Sequence, residues 1–154
     1  MREYIKTCIQ DSIDTKRRLY ENEELLDKIE SAATACITAY KAGGKVLACG
    51  NGGSASDAQH LVGELVGRYK IERFGIAAIA LNSNVAVMTA LGNDYSYDEI
   101  FSKQVRALGK KSDVLFGIST SGNSANIVKA FEQAKKQGIY TVSLTGEGGG
   151  ILKE

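Results

Sequence analysis

Two short stretches bring together the residue types that hold a phosphate. Residues 45–57 read KVLACGNGGSASD, and residues 113–126 read DVLFGISTSGNSAN. In each, an apolar run stops at a loop of Gly, Ser and Asn, and a helix-compatible segment follows. Such a loop offers unpaired backbone N–H groups and hydroxyls, and the helix dipole favours negative charge there. Two of them in one domain predict a phosphorylated ligand gripped at the carboxyl edge of a parallel sheet. The second loop carries the hydroxyls of Ser119, Thr120, Ser121 and Ser124, which suit a phosphate monoester of a small molecule. An ordinary Ser/Gly turn with Ser124 as helix cap accounts for the same residues.

The helix predicted after the first loop reads SASDAQHLVGELVGRY, with Ser54 a natural cap. Asp57, His60 and Glu64 fall at i, i+3 and i+7 and form one polar stripe. Leu61, Val62, Leu65 and Val66 flank it, so much of the helix is expected to be buried. A buried, unpaired stripe costs roughly 1–3 kcal/mol per group and so needs partners or a function. His60 is the only histidine, and with Glu64 at i, i+4 it can face one metal ion or one substrate. Two ligands alone are too few for zinc. The plainer alternative pairs Glu64 with Arg68 and leaves His60 a satisfied helix residue; the adjacent glycine loop favours the functional one. In LGNDYSYDEIF, Asn93 and Asp94 fall at a predicted loop. Asp94 there either caps a helix or hydrogen-bonds sugar hydroxyls.

Several chemistries are disfavoured. CGNGGSA fits the dinucleotide pattern G-x-G-x-x-A, but the second predicted strand ends Ala80-Leu81-Asn82-Ser83, with no acid for a ribose. No G-K-[ST] is present, so neither loop is a nucleotide P-loop. Cys8, Cys36 and Cys49 are an odd set without C-x-x-C spacing, which reads as reduced thiols. Cys49 fits a small buried hydrophobe better than a nucleophile. The net charge of +1, with the signs interspersed, gives no case for nucleic acid or an acidic membrane surface. No apolar run is long enough to span a bilayer, and MREYIKTCIQDSID is too charged for a signal peptide.

The elements that must position these residues follow from periodicity. Residues 2–20 and 23–42 carry helical spacing; Leu25, Leu26, Ile29, Ala32, Ala33, Cys36, Ile37 and Tyr40 share an apolar face, and Gly43-Gly44 ends that helix. Short apolar strands are predicted at 46–49, 76–81, 114–118 and 140–144, with helices at 54–69, around 84–91 and 97–109, and at 124–137. Strands alternating with helices imply an α/β fold, a three-layer parallel sheet with helices on both faces. The long N-terminal helices lie outside the alternation, and either cover their own sheet or pack against another subunit. After the fourth strand only TGEGGGILKE remains, so a covering helix is expected to be missing.

At this point CGNGGSASDAQHLVGELVGRY, ALGNDYSYDEIFSKQV and SDVLFGISTSGNSANIVKA resemble the sugar isomerase (SIS) domain family, and within it the phosphoheptose isomerases. The resemblance runs over essentially the whole chain. It implies a single domain over 1–154 with a flavodoxin-like SIS fold, a cytoplasmic homotetramer with sites between subunits, and bound zinc. The activity implied is conversion of sedoheptulose 7-phosphate to D-glycero-D-manno-heptose 7-phosphate, which supplies heptose for lipopolysaccharide or other surface glycans. Carried over by motif, Asn51, Gly52, Gly53, Asn93 and Asp94 contact substrate, and Ser119, Thr120, Ser121 and Ser124 hold its phosphate. His60 and Glu64 become zinc ligands, with Glu64 also acting on the substrate as a base in a ketose–aldose isomerisation. The family's remaining zinc ligands and a second acid–base group lie on a C-terminal helix carrying a Gln and a His. This chain stops at Glu154 before any such segment, so it is expected to lack half the metal site and to be inactive in this form. One branch of the family instead binds the bacterial replication initiator, and a sugar-phosphate sensor would use the same pocket without chemistry. Gly53 and Glu64, both kept in this chain, favour the enzyme.

Overall fold

The computed structural model describes residues 1–153. Helix α1 spans Arg2–Tyr20, as predicted, and α2 spans Glu23–Lys41, one residue short of its predicted end. Four strands follow, β1 (Val46–Gly50), β2 (Ala78–Ala80), β3 (Val114–Ser119) and β4 (Tyr140–Thr145). Between them lie α3 (Gly53–Val66), α4 (Val85–Asp94), α5 (Ile100–Leu108) and α6 (Ala125–Lys136). All strand pairs are parallel and the sheet order is β2-β1-β3-β4. By its contacts the chain divides into two compact units, Met1–Thr34 and Ala35 onward.

In the second unit the sheet is covered on both faces, and the sequence of β1 shows why. Its five residues VLACG are all buried, the continuous apolar run of a central parallel strand. Leu47, Cys49 and Leu115 pack with Ile100, Phe101 and Val105 of α5 and Ile127, Ala130 and Phe131 of α6. On the other face Val46 and Val114 pack with Ala39 and, less deeply, with Cys36, Tyr40 and Leu65. The alternation of odd and even positions between two cores is the strand period of two. Gly117 is required in β3: a Cβ there would collide with the rings and branches of Phe131 and Ile127.

In the first unit α1 contains no buried residue. Tyr4, Ile5, Ile9 and Ile13 are exposed along it, as are Leu25, Leu26 and Ile29 at the start of α2. Of the apolar face predicted for α2, only its C-terminal part, around Ala39, is drawn into the core of the second unit.

Several predicted bounds change, and the helix predicted over 54–69 runs from Gly53 only to Val66. The second strand shrinks to Ala78–Ala80, because it lies at the sheet edge and pairs with β1 only from Val46 to Ala48. The helix predicted near 84–91 runs on to Asp94, started by Asn84, whose side chain accepts the Val87 N–H. The helix predicted over 97–109 opens as a 3₁₀ turn at Tyr97–Glu99 before α5 begins. No helix among the described residues is long and apolar enough to cross a membrane.

The starts of β1 and β3 are pinned by a carboxylate that periodicity does not reveal. Asp113 is buried just before β3. Its Oδ1 accepts the Lys45 N–H at 2.9 Å, and its Oδ2 accepts the Lys110 N–H at 2.8 Å. The Lys45 ammonium lies 2.6 Å from Oδ2 and also donates to the Leu108 carbonyl. Removing one partner of such a buried group strands the others. Asp113→Ala is therefore expected to lower unfolding stability by about 3 kcal/mol in urea titration.

Burial also fixes the chemistry of Cys49, whose thiol pKa is pushed up to about 12 by desolvation. The thiolate fraction at pH 8 is then on the order of one in ten thousand, which supports a packing role over a nucleophilic one. Alkylation of the native protein at pH 8 is expected to label exposed Cys8 and spare Cys49; mass mapping of the labelled peptides checks this.

Candidate active site

The two Gly/Ser loops are neighbours because β1 and β3 are neighbours. Gly50 is level with Ile118 in the parallel register, so both strands deliver their loops at the same carboxyl edge. The first loop turns tightly into α3. A Cβ on Gly50 would fall on the backbone of Ser54, and Gly52, with φ +56°, takes the cap position. That corrects the expected cap: α3 opens at Gly53 with no side-chain cap, and Ser54 lies inside its first turn. A left-handed residue at the cap lets the chain reverse in fewer residues than an extended serine would.

The second loop is built from below. Ser119 is buried at the end of β3, and its hydroxyl is shared with that of Ser124 at 3.0 Å. Ser124 is the cap position of α6, as predicted, but its hydroxyl makes no capping bond. Thr120 and Ser121 are exposed on the loop. Gly122 turns the loop at φ +67°, and the Ser121 hydroxyl accepts the Asn123 N–H at 3.2 Å. The chain after β4 braces it: Gly146 N–H donates to the Thr120 carbonyl at 2.9 Å, and Leu152 N–H to that of Gly122 at 3.1 Å. An exposed pair of hydroxyls on a braced loop at a helix N-terminus suits a phosphate.

The loops touch through side chains. Asn51 Nδ2 donates to Asn126 Oδ1 at 2.9 Å, and Asn126 Nδ2 donates back to Asn51 Oδ1 at 2.9 Å. The Tyr97 hydroxyl also donates to Asn51 Oδ1, at 3.0 Å. Asn93 and Asp94 lie in the last turn of α4, not in a loop, and both are exposed. Asn93 Nδ2 donates to Asp94 Oδ1 at 2.9 Å. Asp94 caps nothing from this end of a helix, which leaves hydrogen bonding to a ligand as its open alternative. Behind them Glu99 is held by Lys129 at 2.8 Å and by the Ser102 hydroxyl at 2.7 Å. The hydrogen bond from Lys129 lowers the Glu99 pKa. Its contribution is present above the usual glutamate range and is lost as the pH falls through the lowered value.

On α3, His60 Nε2 lies 3.6 Å from Glu64 Oε1. The stripe is open, with the His60 side chain 78% exposed and that of Glu64 35%, and the burial expected for the rest of the helix is only partial. Val66 is exposed as well, and Ala58 is the only buried residue of the helix. The alternative pairing of Glu64 with Arg68 is not formed; Arg68 lies 3.5 Å from Glu72 instead. Among the described residues no group of three His, Cys, Asp or Glu gathers as a metal set. His60 and Glu64 are thus two donors side by side, fewer than the four of a tetrahedral zinc site.

Four supporting residues escaped the sequence reading. Asn126, Tyr97 and Asn82 lie in stretches singled out above, but no spacing points to their roles. Asn82, at the end of β2, donates to the Ala55 carbonyl at 3.1 Å, and its buried Oδ1 finds no partner among the described residues. The fourth, Arg73, closes the C-terminal end of α3, donating to the Glu64 carbonyl at 2.7 Å and to that of Leu65 at 2.9 Å. A cation on the last carbonyls of a helix was the available signal.

Comparison with known proteins agrees with this layout. A family model described as SIS domain matches residues 9–146. The phosphoheptose isomerase of Sulfurimonas denitrificans is 49% identical over 152 residues, covering 99% of this chain and 78% of that protein. That of Aneurinibacillus thermoaerophilus is 50% identical, with 99% and 77% covered. Among solved structures, phosphoheptose isomerase from Neisseria gonorrhoeae superposes with a TM-score of 0.91 at 42% identity, covering 99% of this chain and 78% of that one. The Francisella tularensis enzyme gives 0.92 at 41% identity, with 98% and 78% covered. With sheet order, loop placement and sequence in accord, the chain belongs to the SIS domain family.

Proposed function

We propose that this protein is a phosphoheptose isomerase, a ketose–aldose isomerase converting sedoheptulose 7-phosphate to D-glycero-D-manno-heptose 7-phosphate. The carrying observation is the shared edge of β1 and β3. It sets a braced, hydroxyl-bearing loop beside a glycine loop that launches the helix of His60 and Glu64. The names of the relatives, at about half identity over nearly the whole chain, support the same substrate.

In this reading Thr120, Ser121 and Ser124, set over Ser119, hold the phosphate. Asn51, Gly52 and Gly53 lie against the sugar, with Asn93 and Asp94 on its hydroxyls. Glu64 takes a proton from C1 of the ketose to leave an enediolate. A proton returned to C2, and one moved from O1 to O2, completes the aldose without net gain or loss of atoms. Hydrogen-bond donors at the carbonyl oxygen stabilise the charge that develops there.

Zinc belongs to the proposal, with His60 and Glu64 as the donors this chain brings to it; bound, it would supply Lewis-acid polarisation of the substrate oxygens. The match over residues 9–146 supports one SIS domain over 1–154. The exposed apolar residues of α1 support assembly, as a homotetramer. An exposed free Cys8 suits a reducing cytoplasm, where the product would feed heptose into lipopolysaccharide or another surface glycan.

Turnover of sedoheptulose 7-phosphate, with zinc present, by a longer product that also carries the family's C-terminal Gln and His is the direct test, and that product is the wild type for every variant below; no turnover overturns the proposal. Glu64→Gln is expected to cut kcat by about a thousandfold, as for loss of a general base, while calorimetry still detects sedoheptulose 7-phosphate binding. A role in binding the replication initiator would leave that variant silent.

A further inference from the structure

One oxygen atom joins three segments of the site. Asn51 Oδ1 accepts from Asn126 on the first turn of α6 and from Tyr97 in the 3₁₀ turn that follows α4. Asn51 itself belongs to the sugar-side loop. Asn126 follows the hydroxyl loop by two residues, and Tyr97 follows Asp94 by three. The segments proposed to hold phosphate, sugar backbone and sugar hydroxyls are thus all indexed to one carboxamide.

The arrangement is more exacting than packing needs. Asn126 is 2% exposed, and an amide buried that deeply is stable only when it is hydrogen-bonded. An apolar residue would fill the space at less cost in desolvation. The reciprocal amide pair fixes both separation and orientation, since each group is at once donor and acceptor. Three of Asn51's hydrogen-bonding positions are occupied by Asn126 and Tyr97, so one N–H of its amide remains for a ligand. The Glu99–Lys129 pair ties the same 3₁₀ turn directly to α6, which Tyr97 reaches only through Asn51. Loss of Tyr97 alone is therefore partly compensated, whereas Asn126 has no duplicate in the contact to Asn51.

We propose that Asn126 and Tyr97 are positioning residues that act through Asn51, setting the distance from the phosphate loop to the sugar loop and so the placement of the reacting carbons against Glu64. This rests on the isomerase reading. A phosphate held by the 119–124 loop alone does not depend on that distance; a heptose phosphate, which must span both loops, does. Misplacement of the reacting atoms by about 1 Å costs on the order of a hundredfold in rate.

The test compares Asn126→Asp, which keeps the shape and one of the two reciprocal bonds, with Asn126→Ala and Tyr97→Phe. Each is assayed for kcat and KM with sedoheptulose 7-phosphate, for the inhibition constant of inorganic phosphate, and for melting temperature. The expected result is a graded loss of kcat/KM: about threefold for Tyr97→Phe, about tenfold for Asn126→Asp and more for Asn126→Ala. The phosphate inhibition constant should stay within about twofold of wild type for Tyr97→Phe and Asn126→Ala, neither of which adds a charge beside the loop. Phosphate and heptose affinities falling together with melting temperature would mean a merely structural role and overturn the inference. So would unchanged kinetics in all three variants. A wild-type protein without turnover removes the isomerase reading and this inference with it; active wild type with unmoved variants removes the inference alone.

Discussion

The site depends on β1 and β3 lying side by side, parallel and in register. Had the two strands been separated in the sheet, or antiparallel, their loops would open at different places and no ligand could reach both. The fold secures the pairing by making β1 the most buried strand, with apolar helices on each side. A one-residue slip would turn Leu47 and Cys49 from one core into the other and exchange them with Val46 and Ala48. Register, core packing and ligand geometry are thus a single constraint. The close approach of α6, allowed by Gly117, then sets how far the second helix N-terminus stands from the first.

Each end of this strand pair is also tied by polar groups. At the amino ends Asp113 collects two backbone N–H groups and the Lys45 ammonium. At the carboxyl ends Asn51 and Asn126 exchange hydrogen bonds. The two ties use different chemistry for a physical reason. A carboxylate with several donors makes a strong anchor wherever no ligand must bind. Near a bound phosphate a second fixed anion would repel the ligand, and a neutral amide pair gives geometry without charge. Glu99, two residues from Tyr97, is held by Lys129 and so does not stand as an unpaired negative charge.

The fold was legible because its signals are local. Apolar runs bounded by Gly and Ser mark β1 and β3, and periodicity marks α1, α2 and α6 to within a residue or two. The loops were legible for the same reason, since the residues that build them are contiguous. What escaped was set by contacts distant in sequence. Asn126 lies 75 residues from Asn51, and Lys45 lies 68 from Asp113; neither pair has a spacing to notice. The shift of Asn93 and Asp94 from loop to helix end has a nearer cause, since the Asn84 cap starts α4 and the helix carries through Gly92 to Asp94. The burial expected for the rest of α3 failed differently: its apolar residues suggested coverage, but within this chain only Ala58 is fully covered.

The two halves of the site differ in how far they are organised. The phosphate half is rigid by construction: a buried hydroxyl beneath, a bracing segment alongside, and an amide pair locking it to its neighbour. The acid–base half is a helix face open to solvent, fixed at its start by a glycine turn and at its end by Arg73 on the Glu64 carbonyl. That division suits an isomerisation. Phosphate binding is the same in substrate, enediolate and product, so a rigid clamp supplies uniform binding and orientation. Differential stabilisation must come from groups at C1 and C2, which the proposed isomerase reading puts on α3. Because the clamp and α3 start from adjacent strands, energy gained at the phosphate holds the far end of the sugar where Glu64 can act, and a truncated substrate lacking the phosphate would lose that alignment along with its affinity.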